Sequence, residues 1–446
     1  MNARARGIRA LAAGVLVGAG FLTGATANAT GRAPVSHPVG VLTETLVDTH
    51  RSTPASGTNP MRPDRTLVTT IWYPAQGNAQ AGTARHGATP DRRGGPYPLI
   101  VFGHGLGVTP QTYEQVITDL AAAGYVVAAP RFPLSSGPGG TDAADTGNQP
   151  ADVSYVITAM LKASARNTGT LAGLVDPHAV GVTGHSNGAI TTLGVAANTC
   201  CHDSRVKAAV VLSGLPEVFP GGHYDYHHAP PLLLVHGTDD ALLPYSQIVE
   251  VFNRAQGPKG LLTLEGGDHG GWITTSNRYY PSAFRATIDF FAAFLRGDKS
   301  ARKRIAGDQQ NGATTMHFVA KTGATATIPT VPVPLTNRHA AVTPTKDLTD
   351  GQTVTVSWSG FIPGKVVNIV ECSPSAAKTG DACDLEHGKI LTPDPTGEGT
   401  VELPIVAGRV GTGVCDATHA GCVVYVNDAS LLDPHATLKF PITFAP

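Results

Sequence analysis

Residues 180–188 read Val-Gly-Val-Thr-Gly-His-Ser-Asn-Gly, a short apolar strand that runs straight into a sharp turn. The small, helix-compatible residues Ala189 to Ala197 follow. A strand, a Gly-x-Ser-x-Gly turn and a helix in succession force the central residue into a strained backbone conformation, leaving no room for side chains two positions away. Gly184 and Gly188 meet that need around Ser186. The pattern predicts a serine hydroxyl raised above a sheet, at a helix N-terminus where negative charge is favoured.

The surrounding sequence supplies the sheet. Leu67–Tyr73, Tyr97–Gly103, Tyr125–Ala129, Val206–Ser213, Leu232–His236 and Leu261–Glu265 are apolar or β-branched runs that read as strands. Helical patterns lie between them at Gln111–Ala123 and Asp152–Leu161, and Ser282–Leu295 closes the series. Continuous apolar strands separated by helices predict an α/β domain over residues 38–320, with a mostly parallel sheet covered on both faces. Residues 321–341 include Ile328-Pro-Thr-Val-Pro-Val-Pro334, a Pro-rich, semi-stiff linker. From 342 to 446 the pattern changes to short strands at 353–358, 366–371, 399–403, 422–426 and 437–444, with Gly, Pro and Asp between them. This predicts a small all-β sandwich.

A chain of 446 residues exceeds one compact core, in keeping with two domains. Its net charge of −1 and lack of a basic run argue against a nucleic-acid partner. Arg4, Arg6 and Arg9 precede an apolar run from Ala10 to Leu22, and small residues follow up to Ala29. Residues 1–29 therefore read as a secretory signal peptide, and the run is too short for a membrane anchor. The mature protein is expected to be exported, extracellular and without a stable membrane span. Export gives the six cysteines meaning. Cys372 with Cys383 and Cys415 with Cys422 are expected to close two small loops, each stabilising by roughly 2–3 kcal/mol on a chain-entropy account. Cys200 and Cys201 are adjacent, so either a bond between neighbours or a buried thiol pair is open.

A serine nucleophile needs a base, and the base needs an orienting acid. In a parallel sheet these come in the order serine, acid, histidine, each just past a strand. After Leu232–His236 the turn holds Asp239 and Asp240. Asp240 is favoured because Pro244 lies four residues on, and one of the two aspartates is expected to cap the next helix. After Leu261–Glu265, the loop Gly266-Gly-Asp-His-Gly-Gly271 carries His269 between glycines, with Asp268 read as a solvated loop residue. The backbone N–H groups of Leu106, in the loop Phe102-Gly-His-Gly-Leu-Gly107, and of Asn187 are the expected oxyanion donors. His104 is expected to order that loop. The segment Gly222-His-Tyr-Asp-Tyr-His-His228 lacks the spacing of a structural zinc site and reads as a polar rim loop. No metal or cofactor is expected. Trp272 could line a pocket or simply pack.

With these residues in view, 38–300 resembles the secreted α/β-hydrolases of the platelet-activating-factor acetylhydrolase and dienelactone-hydrolase-like group. The resemblance rests on Thr70-Ile-Trp-Tyr-Pro-Ala75, His104-Gly-Leu106, Asn148-Gln-Pro-Ala-Asp-Val153, Gly184-His-Ser-Asn-Gly188, the Asp240 turn and His269. It implies a carboxylic ester hydrolase that needs no cofactor. The tail resembles the neocarzinostatin-type apoproteins through Val342-Thr-Pro344, Leu348-Thr-Asp-Gly351, Gly360, Phe361, Pro363, Gly364 and two cysteine pairs. That resemblance implies an immunoglobulin-like sandwich with a cleft for an apolar ligand. The expected activity is that of a serine esterase on a small-molecule, lipid or polymer ester. The alternatives are a small-molecule carrier with an inert or secondary hydrolase domain, and a peptidase using the same three residues.

Overall fold

The structure, a computed structural model, describes residues 37–446 apart from 57–58, 79, 81, 137–141, 218, 220, 241, 324–325, 329–337, 362–366, 375–381, 385, 392–396, 412 and 428–437. Residues 1–29, read from the sequence as a signal peptide, and most of the Pro-rich run lie outside the described residues.

Ten strands form one mixed sheet. They are β1 (Val39–Asp48), β2 (Arg65–Pro74), β3 (Ala84–His86), β4 (Tyr97–Gly103), β5 (Val126–Arg131), β6 (Val175–His185), β7 (Val206–Leu212), β8 (Leu232–Gly237), β9 (Lys259–Leu264) and β10 (Thr314–Val319). Their spatial order is β10-β9-β8-β7-β6-β4-β5-β2-β1-β3. The six central strands, β5 to β9 with β4 inserted between β5 and β6, run parallel. β2 and β10 flank that block in the antiparallel sense, and β1 pairs antiparallel with β2. β1, β3 and β10 go beyond the strands read from sequence. β1 alternates less cleanly along its exposed half, and β10 is a partly exposed edge, so neither carries the continuous apolar signature of a central strand. β4, β8 and β9 are buried along their whole length.

Helices are α1 (Glu114–Ala122), α2 (Gln149–Ser164), α3 (Asn187–Ala197), α4 (Tyr245–Arg254), α5 (Tyr280–Leu295) and α6 (Lys299–Arg304). They cover both faces. On one face Val116, Ile117 and Leu120 of α1 and Phe284, Phe290 and Phe291 of α5 pack on Ile100, Phe102, Val127 and Val210. On the other, Val156 and Ile157 of α2, Leu193 of α3 and Ile248 and Phe252 of α4 pack on Leu99, Val101, Val182 and Val211. Successive β-strand side chains alternate between the faces, so each central strand feeds both cores. The result fits the α/β-hydrolase fold.

A buried ion cluster braces the β2–α2 side. Arg65, with no exposed surface, pairs through Nη2 with Asp152 at 2.6 Å and with Asp145 at 2.8 Å. Arg51 bridges Asp152 at 2.8 Å and Asp48 at 2.7 Å. Asp145 belongs to the 3₁₀ turn Ala143–Gly147 that leads into α2.

The tail is all-β among its described residues. β11 (His339–Thr343), β12 (Thr353–Ser359) and β15 (Gly399–Pro404) form one antiparallel sheet. β13 (Val367–Cys372), β14 (Lys389–Leu391), β18 (Val423–Asn427) and β19 (Leu438–Pro441) form a second, and β16 (Gly408–Val410) with β17 (Gly413–Cys415) a ribbon. β12 sends Val354, Val356 and Trp358 inward and Thr353 and Thr355 outward, into a core shared with Ile369, Val424 and Val426. This fits a neocarzinostatin-like β domain. Cys372 is bonded to Cys383 and Cys415 to Cys422. The pair left open in the sequence, Cys200 and Cys201, is also bonded.

Phe291 has no exposed surface, and its ring fills the space over Gly181 of β6, where an added Cβ would lie 2.8 Å from Phe291 Cε1. Replacing Phe291 with Ala leaves a cavity between α5 and the sheet. We expect it to cost about 3–5 kcal/mol, read as a lower urea midpoint for the hydrolase domain. An unchanged midpoint would contradict this packing.

Candidate active site

The parallel block delivers its loops to one sheet edge. The loop after β4, the turn after β6 and the loops after β8 and β9 all leave from carboxyl ends. At the end of β6, Ser186 has φ of 56°, in the left-handed region that a side chain rarely tolerates. The cost is sustained by close backbone contact on either side. A Cβ on Gly184 would lie 2.4 Å from the Gly188 carbonyl oxygen, and one on Gly188 would lie 2.1 Å from that of Gly103. Only glycine fits these positions.

Three side chains from three loops meet there. His269 Nε2 lies 2.8 Å from Ser186 Oγ, and His269 Nδ1 lies 2.8 Å from Asp240 Oδ2. Asp240 is fully buried, whereas its neighbour Asp239 is exposed. The other oxygen of Asp240 accepts the backbone N–H groups of Leu242 and Leu243 at 2.9 and 2.8 Å. His236 Nε2, 3.2 Å from Asp240 Oδ2, adds a further partner that the sequence did not flag. Burial alone would raise the Asp240 carboxyl pKa. Hydrogen bonds and charge from His236 and His269 outweigh it and hold the group well below the usual carboxylate range. Neither aspartate caps α4, contrary to the sequence expectation: Pro244 occupies the cap position and no side chain bonds there. Asp240 spends its capping oxygen on its own turn. Asp268 is exposed and accepts the N–H of Gly271 at 2.8 Å.

Two struts hold the loops around Ser186. His104, with no exposed surface, accepts the Phe132 N–H at Nε2 (3.1 Å) and, through Nδ1, donates to the Gly105 carbonyl at 2.8 Å. It thereby ties the β4 loop to the chain leaving β5. On the other side Asn187 is clamped by Thr146, whose hydroxyl donates to Asn187 Oδ1 at 2.6 Å, and by Gln149, whose Oε1 accepts from Asn187 at 3.4 Å and from Thr191 at 2.5 Å. Gln149 also donates to Ser135 Oγ at 2.7 Å, and the Ser135 carbonyl accepts the Gly107 N–H at 2.9 Å. Among the described residues the backbone N–H groups of Leu106 and Asn187 donate to no protein acceptor.

The remaining candidates fall into place locally. Trp272 is buried, and its indole N–H donates to Ser213 Oγ at 3.3 Å. In the 222–228 segment, His228 pairs with Asp225 at 2.6 Å and His223 with the Thr199 hydroxyl at 3.2 Å. Among the described residues no group of three His, Cys, Asp or Glu side chains is placed to hold a metal ion.

Comparison with known proteins agrees with the two halves of this architecture. Residues 86–238 match the chlorophyllase family and residues 340–444 the neocarzinostatin family. Chlorophyllase-1 of Arabidopsis thaliana is 28% identical over 167 residues, covering 37% of this chain and 48% of that protein, so the chain spans about half the length of that relative. The antitumor antibiotic C-1027 apoprotein of Streptomyces globisporus is 28% identical over 107 residues, 22% of this chain and 73% of that protein. Among solved structures, a ferulic acid esterase from Streptomyces cinnamoneus aligns with 64% of this chain and 96% of its own, at a TM-score of 0.46 and 21% identity. The first part of the chain has the α/β-hydrolase fold. More particularly, the chain carries a chlorophyllase-like region joined to a C-terminal neocarzinostatin-like domain.

Burial lowers the pKa of His104 and of His185 to about 4 each. The unfolded value is about 6.5, so the unfolded chain binds more protons between roughly pH 6.5 and 4. The stability these two histidines contribute is therefore lost across that window on acidification. Asp308 acts in the opposite sense, because burial and the neighbouring Asp289 push its carboxyl up to about 7. We expect a His104→Gln variant to lose stability less steeply than the parent from pH 6.5 to 4, in urea midpoints at each pH. Parallel pH curves would refute the neutral, buried state of His104.

Proposed function

We propose that the chain is a serine esterase that hydrolyses carboxylic esters through an acyl-enzyme. The observation that carries this reading is the continuous hydrogen-bonded path from Asp240 through His269 to Ser186, with the serine in the strained turn. Ser186 Oγ attacks the ester carbonyl while His269 Nε2 takes its proton. Asp240, kept ionised, holds the imidazole with Nδ1–H toward it and stabilises the imidazolium that forms. The N–H groups of Leu106 and Asn187 receive the oxyanion. His269 returns the proton to the departing alcohol. Water, deprotonated by the same imidazole, then attacks the acyl-enzyme and releases the acid and free Ser186. The chlorophyllase match supports an ester as substrate. The three disulfides support an exported protein.

Ser186→Ala is expected to lower kcat toward short-acyl p-nitrophenyl esters by on the order of 10⁶-fold. Asp240→Asn should lower it by about 10⁴-fold through the wrong imidazole tautomer. A fluorophosphonate should label Ser186, as peptide mass spectrometry would reveal. Retained turnover in Ser186→Ala rejects the assignment, and an amide panel hydrolysed faster than esters would favour a peptidase.

The neocarzinostatin match favours a second property, binding of an apolar small molecule by the tail. An apolar fluorescent dye titrated into the full-length Ser186→Ala chain should bind saturably and be displaced by apolar competitors. Absence of saturable binding would remove this reading without touching the esterase.

A further inference from the structure

The residue ahead of the serine, His185, takes no part in the proton path described above. It is nevertheless 7% exposed and bonded at both ring nitrogens. Its Nε2 lies 2.9 Å from the backbone oxygen of His269, and its Nδ1 lies 2.9 Å from Tyr113 Oη. A carbonyl oxygen only accepts, so Nε2 carries the hydrogen. Burial, helped by the neighbouring His269, lowers the ring's pKa to about 4 and keeps it neutral at neutral pH. Nδ1 is then an acceptor, and the Tyr113 hydroxyl must donate to it. The same phenolic oxygen accepts the N–H of Gly105 at 3.2 Å. Every hydrogen bond in the chain thus points one way: Gly105 N–H to Tyr113, Tyr113 to His185, His185 to the His269 carbonyl.

The two ends of this chain matter. Gly105 precedes Leu106, the proposed oxyanion donor. His269 is the proposed base, and its loop, with Gly266, Gly267, Gly270 and Gly271, has little side-chain packing of its own to fix it. The rings sit tightly against the backbone they hold. A Cβ on Gly105 would lie 2.8 Å from Tyr113 Oη, and one on Gly270 would lie 3.1 Å from His185 Cε1. The imidazoles of His185 and His269 stand 4.9 Å apart.

We propose that Tyr113 and His185 are positioning residues. Together they set the base loop and the oxyanion loop against a common reference, the residue next to the nucleophile. The inference rests on the esterase reading, because it assigns a purpose to geometry around the same serine. Misplacement of a reacting group by about 1 Å can cost on the order of 100-fold in rate. The effect belongs in kcat, since neither side chain is assigned a contact with substrate.

The test uses the full-length chain with short-acyl p-nitrophenyl esters. Tyr113→Phe keeps the ring and removes only the hydroxyl, and should lower kcat about 10- to 100-fold with KM little changed. His185→Phe should fall at least as far, and the double variant no further than His185→Phe alone. His185→Gln, whose amide N–H can again reach the His269 carbonyl, should recover part of the loss. The far-downfield proton resonance of His269 Nδ1 gives a reading that needs no turnover. It should shift or exchange faster in Tyr113→Phe and His185→Phe. The relay is overturned if those variants keep the parent kcat, lose activity through KM alone, or if His185→Gln is no better than His185→Phe. If the parent itself shows no Ser186-dependent turnover, the esterase reading fails. The relay then stands or falls on whether the His269 Nδ1 proton moves in the two variants.

Discussion

Close contact between bare backbones at the end of β6 is the constraint from which the rest of the hydrolase domain follows. Gly103, Gly184 and Gly188 touch without side chains between them, and this alone lets the chain turn from strand to helix within one residue. Ser186 bears the conformational cost, with φ of 56°. That cost is tolerable because the flanking elements are over-determined: β6 is central in the sheet and α3 is buried throughout. A flexible serine would be cheaper to fold but would present its oxygen in no fixed direction.

Around this rigid point the structure places adjustable parts and then fastens them. The His269 loop is glycine-rich, and the loop after β4 has two glycines around Leu106. Their stiffness is supplied by His104, within the β4 loop and bonded to Phe132, and from outside by His185, Tyr113 and Gln149, each buried or nearly so and each bonded to backbone or amide groups. Neutral histidines suit the task because one ring can accept on one side and donate on the other. The buried carboxylate is treated differently. Asp240 stays charged in a dry place because four donors reach it: two backbone N–H groups and two imidazoles.

The legible part of this protein was what chain order and local chemistry fix. Glycines flanking Ser186, an aspartate past one parallel strand and a histidine past the next are local signals, and a parallel sheet brings such positions to one edge. The choice between Asp239 and Asp240 was legible only through Pro244, while their different burial depends on how the turn folds under the His269 loop. The supporting residues were hidden for the same reason. Nothing near Tyr113 in sequence points to a residue 72 positions away, and Thr146 and Gln149 reach Asn187 only because α2 packs beside α3. β1, β3 and β10 were missed because β1 is half-exposed, β3 is a three-residue edge and β10 a partly exposed edge, and such patterns are weaker than that of a strand buried on both faces. Adjacent cysteines gave no sign of their state, because bonded and reduced pairs look alike in a sequence.

The Arg65 cluster carries an implication for how this sequence can vary. Arg65 holds Asp152 and Asp145, Arg51 holds Asp152 and Asp48, and Asp145 lies in the turn whose Thr146 clamps Asn187. Loss of one member would strand an uncompensated charge in the interior, whereas replacing the set together by apolar side chains of matching volume can be neutral. Drift at these five positions is therefore concerted: homologues should either retain the whole set or have exchanged it wholesale, with intermediates selected against.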